Sequence, residues 1–289
     1  MSTAKNHCLL QVQVSVFMSD RSTYSKRVMT MFEIFRAVVL IALTQLIAQA
    51  AIAAPQEPPE AQVKLIDGAK AVHYQGEMDD SAIVQVATLI KSAEGTVKRL
   101  VINSGGGDVN GGMDLAELVL AHQLDVEVER LCASSCANYV FPAGKTKQIQ
   151  KGAVVVWHGS AIQMGLDDAP GIDDIVVEDG RQLSLSEKRE LLEKNKEGWL
   201  RYITEARIRQ ADLYKRMGVD ERVTVVGQQL KAAQEWTLTV EDMARFGIKN
   251  VIAPEHYGEV MPDAIRERGV KLLYLEDYPG YEFAPLKAP

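Results

Sequence analysis

Residues 99–107 read Arg99-Leu100-Val101-Ile102-Asn103-Ser104-Gly105-Gly106-Gly107, an apolar run that stops in three glycines. Such a run suits a buried strand, and the glycines end it in a turn whose backbone can adopt positive φ and lie bare to a neighbour. After Asp108, Met113, Leu115, Ala116, Leu118 and Val119 recur at helical spacing, so the unit is strand, glycine turn, helix. The same alternation continues outward. Upstream, Val63 to Ile66 and Ala71 to Tyr74 read as strands, and Asp79-Asp80-Ser81 offers caps to a helix with Ile83, Val86, Ala87 and Ile90 on one face. Downstream, Val126 to Val128 is a strand, Cys132 to Ala143 is a small-residue turn feeding a short helix, and Ala153 to Trp157 is a strand that delivers His158 at its end. Alternation of this kind is the mark of an α/β domain built on parallel strands.

Residues 159–183 are rich in Gly, Asp and Pro without a period and are expected to form a mobile loop. Ser184-x-x-Glu187 is a capping box that opens a long charged amphipathic helix through about Met217, closed by Gly218. Its apolar positions include Leu185, Leu192, Trp199, Ile203, Ala206 and Leu213. Thr239-x-x-Asp242 caps one more helix, closed by Gly247, and Ile248 to Ile252 is a last strand. The aromatic and proline-rich end, Leu272 to Pro289, is expected to pack along the surface or against a neighbour.

Lys26, Arg27 and Arg36 precede an apolar run from Ala37 to Ala53 that ends in Ala51-Ile52-Ala53, the pattern of a cleavable export signal. Residues 1–53 are therefore read as a leader cleaved after Ala53, with Met29 or Met31 as alternative starts, and 54–62 as a polar linker. The alternative is an uncleaved anchor, for which the run is short against the ~20 residues a bilayer requires. The main domain then covers 63–260, with a helical arm at 184–217 and a tail at 261–289. The protein is expected outside the cytoplasm, periplasmic or secreted.

The leader holds five Lys and Arg against two Asp and Glu, which leaves 27 basic and 37 acidic residues and a net charge of −10. That balance argues against a nucleic-acid partner. Cys132 and Cys136 are the two cysteines outside the leader. At a spacing of four their Cα atoms fall about 6 Å apart on a helix, within disulfide range, and an exported protein invites the bond. Two buried thiols packing as small hydrophobes is the other reading. A metal site is not expected, because His158 is the one histidine near the pair.

A serine acts as a nucleophile when a base takes its proton and fixed donors hold the oxyanion. Ser135 stands where a strand gives way to a helix, among small neighbours, and the N–H of Cys136 behind it belongs to a helix start. The turn Asn103-Ser104-Gly105-Gly106-Gly107 and His158 both follow strands, which brings all three to one edge of a parallel sheet. Singly, each is more often a tight turn, a helix cap or a structural histidine; together, in this order, they are specific.

Three segments, Ile102 to Gly107, Ala133-Ser134-Ser135 leading to Phe141-Pro142-Ala143-Gly144, and Val155-Val156-Trp157-His158, resemble the proteolytic subunit of the Clp protease and its exported relatives in the crotonase superfamily. The resemblance covers about residues 70–160 and extends less closely to 253. It implies a fold of stacked ββα units on a parallel sheet with a protruding helical arm. It also implies Ser135 as nucleophile, His158 as base, N–H groups of Gly107 and Cys136 as the oxyanion hole, and the turn from Asn103 through Gly106 as the edge that aligns substrate. Gly105 stands where the family has Pro. Matching outward from Leu238-Thr239 puts Glu235 in place of the family's orienting Asp, while Asp242 is explained as the capping partner of Thr239. Cys136 is a second candidate nucleophile, and the register of the motif favours Ser135.

The resemblance further implies that the arm interlocks subunits, hence a homo-oligomer. Three functions are in view: an exported serine peptidase acting on peptides or proteins without a cofactor, a catalytically impaired relative that binds a peptide or partner in the same cleft, and an acyl-CoA enzyme of the crotonase kind. Membrane contact would come only through an uncleaved leader.

Overall fold

The computed structural model describes residues 61–167 and 184–282. The chain divides into two units, Met1–Glu57 and Pro58–Pro289, and the described residues all belong to the second. The leader, its cleavage point and most of the linker lie outside them.

The strand readings from the sequence correspond to β1 (Gln62–Ile66), β2 (Ala71–Gln75), β3 (Arg99–Ser104) and β4 (Asp125–Ala133). Between them run α1 (Asp80–Ser92) and α2 (Val109–Ala121), entered through Asp79 and Asp108, whose carboxylates accept from Ala82 N–H at 2.8 Å and Gly111 N–H at 2.7 Å. Caps of this kind satisfy amides that the helix itself leaves unpaired, at about 1 kcal/mol each. β2, β3 and β4 are mutually parallel; β1 folds back antiparallel on β2 through a tight turn at 67–70. Val72, Tyr74, Leu100, Ile102, Val126 and Val128 form one face and pack in one cluster with Val86, Met113, Leu115 and Val119 of the two helices. Each large apolar side chain buried in this way contributes roughly 1.5–3 kcal/mol.

β4 is longer than the sequence suggested and has two partners in succession. Its first half pairs with β5 (Lys147–Ile149), and its second half, Leu131 to Ala133, pairs with β6 (Val154–Val156). The handover coincides with a register shift between β3 and β4 at Asn103, where the Asn103 carboxamide oxygen accepts from Leu131 N–H at 3.2 Å. Its side chain thus replaces a ladder bond that the shift removes. β5 pairs onward with the short β8 (Val251–Ile252).

The long helix α3 (Leu185–Met217) begins in the expected capping box at Ser184 and Glu187 and ends at Gly218 in the left-handed region. Residues 261–282, expected as a tail, belong to the domain. They form the helix Asp263–Glu267 and strand β9 (Lys271–Leu273), which pairs in parallel with β7 (Trp236–Leu238). Ile265 and Val270 cover the second face of β4 and β6 at Ala133, Val154 and Val156. The pairing is non-local, joining segments about 35 residues apart, and no local pattern announces it.

The expected mobile loop is also corrected over its first part. Residues 159–167 are tied to α3 by Arg207 Nε donating to Ala161 O at 2.8 Å and Trp199 Nε1 donating to Leu166 O at 2.8 Å. Residues 168–183 lie outside the described ones. Among the described residues no helix is long and apolar enough to cross a membrane.

Candidate active site

Parallel pairing decides the site. Ser104 is in register with Cys132, and Cys132 with Val155, so β3, β4 and β6 end at the same sheet edge. Three residues beyond those register points stand Gly107, Ser135 and His158. The structure therefore brings the glycine turn, the candidate nucleophile and the end of the His158 strand to one edge.

Ser135 is reached through a sharp turn. Ser134 has φ 54°, the left-handed region in which a non-glycine residue is strained, and its N–H donates to Val156 O at 3.1 Å. The first helical bond runs from Asn138 N–H to Ser134 O at 2.8 Å, and the short wide-turn helix Cys136–Val140 follows. Cys136 N–H lies ahead of that bond, among the amides a helix start leaves without an intrahelical acceptor. Cys132 and Cys136 are joined in a disulfide with Cα atoms 5.2 Å apart, both fully buried. The ring it closes contains Ser134 and Ser135, so the turn is stapled at both ends.

The glycine turn is fitted against this one. Gly106 has φ 102°, and a Cβ there would lie 2.5 Å from Ser134 Cβ; at Gly107, φ 140°, it would lie 2.6 Å from Met78 N and O. Neither position admits a side chain. At Gly105 a Cβ would meet nothing within 4 Å, so this position, unlike its two neighbours, has room for a side chain. Ser104 Oγ accepts from Gly106 N–H at 3.1 Å and closes the turn locally. Gly106 O is taken by Met78 N–H at 2.8 Å. Because the peptide is trans, the Gly107 N–H on the same unit points away from Met78, and it makes no hydrogen bond among the described residues.

Ser135 itself is 1% exposed, and its hydroxyl donates to Gly107 O at 2.9 Å. His158 is exposed. No hydrogen bond joins the two side chains among the described residues, so the hydroxyl must rotate from Gly107 O before a base can take its proton.

The backbone around His158 is held firmly. Trp157 and Trp236 exchange both amide bonds, 2.8 and 2.9 Å, in an antiparallel bridge. Gln228 Nε2 donates to His158 O at 2.9 Å, and Asn138 Nδ2 donates to Gly159 O at 2.8 Å. Asn138 is 3% exposed, sits three residues after Ser135, and has its own carbonyl bonded by Tyr214 Oη at 2.5 Å. Burial pushes the Tyr214 hydroxyl well up, so it stays a neutral donor. The sequence reading missed Asn138 and Gln228. A polar residue inside Ala137-Asn138-Tyr139-Val140 was the available signal for the first; Gln228 carried none.

Continuing the Trp157 to Trp236 register by one residue sets His158 opposite Glu235. One carboxylate oxygen of Glu235 accepts from Arg268 at 2.6 Å; the other, Oε2, is buried and has no hydrogen-bond partner among the described residues. Asp242 is engaged elsewhere: its amide caps on Thr239 Oγ1 at 3.0 Å, its Oδ2 accepts from Leu275 N–H at 3.0 Å, and its Oδ1 pairs with Arg245. Among the described residues no group of three His, Cys, Asp or Glu side chains is placed to hold a metal ion.

No family model matches the chain, and no curated protein does. Among solved structures it is similar to a ClpP1 mutant from Listeria monocytogenes. That match covers 65% of this chain and 93% of the other, at 16% identity and a TM-score of 0.39.

Proposed function

We propose that this chain is an exported serine peptidase of the Clp kind, cleaving peptide bonds through an acyl-enzyme on Ser135. The observation that carries the reading is the meeting, at one sheet edge, of a serine on a strained strand-to-helix turn with two backbone amides unpaired among the described residues and a histidine that follows directly on the Trp157–Trp236 bridge. The Ser135 hydroxyl turns from Gly107 O to His158 and gives up its proton as Oγ attacks the scissile carbonyl. Gly107 N–H and Cys136 N–H hold the oxyanion. His158 then donates that proton to the leaving amine as the C–N bond breaks. Water, deprotonated by His158, releases the acyl group and restores Ser135. Glu235 orients His158 through its second oxygen.

The glycine edge, bare of side chains, would receive an extended substrate strand. Outside the cytoplasm no ATP-driven unfoldase is at hand, so short or already unfolded polypeptides are the expected substrates. A homo-oligomer built through α3 belongs to the same reading.

The test is hydrolysis of fluorescein-labelled casein and short fluorogenic peptides by the mature chain. Cleavage that disappears in Ser135→Ala and His158→Ala, both still folded by circular dichroism, is the expected result. Equal cleavage by Ser135→Ala contradicts the proposal. One observation favours a second reading, a cleft that binds peptide without turnover: the Ser135 hydroxyl rests on Gly107 O and not on His158. In that case Ser135→Ala binds the same peptides with unchanged affinity and wild type never cleaves them.

A further inference from the structure

Resting on that reading, we propose that Arg268 is a positioning residue of the same site: it fixes Glu235 by one oxygen so that the other serves His158.

A glutamate replacing a shorter aspartate has an additional rotatable bond, so a carboxylate opposite His158 must lose more freedom to hold one orientation. The structure supplies the restraint. Arg268 Nη2 lies 2.6 Å from Glu235 Oε1, in a charge-assisted contact. Glu235 O in turn accepts from Lys271 N–H at 3.1 Å, so the backbone of residue 235 and its side chain are both held by the segment that leads into β9. That segment is anchored by Val270, buried against Val154, Val156 and Ala133, the residues of β4 and β6 that lead to Ser135 and His158.

Among the described residues Oε2 is left buried and unpartnered, a costly condition for a carboxylate oxygen unless a donor reaches it. One step beyond the single Trp157–Trp236 bridge, His158 and Glu235 are the next residues to face each other, and an imidazole N–H is the donor the reaction would provide. A carboxylate with one oxygen on a cation and the other on the histidine cannot swing away during turnover. Arg268 is half exposed, so removing it disturbs no core packing.

The experiment measures labelling of Ser135 by a fluorophosphonate at several probe concentrations, separating the maximal labelling rate from the half-saturating concentration. Variants are Arg268→Ala, Arg268→Lys, Glu235→Ala and the double alanine variant, each checked for an unchanged melting curve. Arg268→Ala is expected to lower the maximal rate roughly tenfold, the scale of one lost charge-assisted contact, with the half-saturating concentration unchanged. Arg268→Lys recovers most of the rate, and Arg268→Ala adds nothing on the Glu235→Ala background. Labelled wild type with Arg268→Ala at or above its rate, or an equal loss on both backgrounds, overturns the role of Arg268 while leaving the peptidase reading intact. Wild type that is never labelled removes the peptidase reading and this inference together.

Discussion

The two halves of the candidate site are built differently. The nucleophile half is made of backbone: a disulfide closes the turn around Ser135, Ser134 is held in the left-handed region, and Gly106 and Gly107 are pressed against Ser134 and Met78. The base half has an equally fixed main chain, clamped by Gln228, Asn138 and the Trp157–Trp236 bridge, but among the described residues no hydrogen bond joins the His158 side chain to Ser135 or Glu235. His158 is exposed, and Glu235 spends one oxygen on Arg268. Under the proposed mechanism, the contrast teaches that the oxyanion donors would be preorganised, whereas proton transfer would require a rotation of Ser135 and a closing of His158 onto its neighbours.

The contrast breaks most visibly at Gly107. Gly107→Ala forces a Cβ onto Met78 backbone and would tilt the amide proposed as an oxyanion donor. Fluorophosphonate labelling should fall by ~10²–10³, the range of one lost oxyanion donor, while far-ultraviolet circular dichroism keeps its α/β shape. Labelling at the wild-type rate would show that Gly107 is no donor.

A control remote from both halves sets the scale for stability. Lys147, buried in β5, has its amine pushed from 10.5 down to about 8 by desolvation. Below pH 8 the folded chain must bury a charge that the unfolded chain exposes. That penalty is relieved as pH rises from about 8 towards 10.5. Lys147→Met should therefore stabilise at pH 7, by at most about 3 kcal/mol at 1.36 kcal/mol per unit, with the gain shrinking above pH 8 in urea unfolding. A gain that does not shrink contradicts burial of the amine.

Next in size is the staple. Replacing Cys132 and Cys136 by serine should cost about 2 kcal/mol in urea unfolding, the loop-closure value for a ring of about five residues. Labelling at Ser135 should drop in the same variant even where it is fully folded, because Ser134 is released from its strained conformation. Unchanged labelling would mean the glycine fit alone fixes the turn.

Asn138→Asp keeps the shape and replaces the donor to Gly159 O with an acceptor. It should reduce peptidase turnover roughly tenfold, one hydrogen bond's worth, and lower stability by ~1 kcal/mol or more, since Asn138 is buried. Turnover unaffected at matched stability would show that the clamp does not set the His158 position. The smallest effect belongs to Gly105→Ala, which meets open space and should move the urea midpoint by less than ~0.5 kcal/mol.

Much of this was legible because it is local. The run Arg99 to Gly107, the caps at Asp79, Ser184 and Thr239, and the strand ending in His158 each state their conformation within a few residues. Parallel pairing then makes the convergence of Ser135, His158 and the glycine turn nearly automatic. What stayed hidden depends on long-range pairing. β7 with β9, the cover of Ile265 and Val270, and the grip of Arg268 on Glu235 join segments that carry no periodic signal. The two amide clamps were hidden for a related reason, since Asn138 and Gln228 are conspicuous only once their targets, consecutive carbonyls after Trp157, are brought near.

The central claim is that Ser135 is a nucleophile. The direct measurement is incubation of the mature, oxidised protein with a fluorophosphonate, followed by peptide mass mapping, with a known serine hydrolase labelled alongside. A single adduct on Ser135, absent in His158→Ala, is the result expected here. A folded protein that takes up no probe, or carries the adduct on another residue, would contradict it.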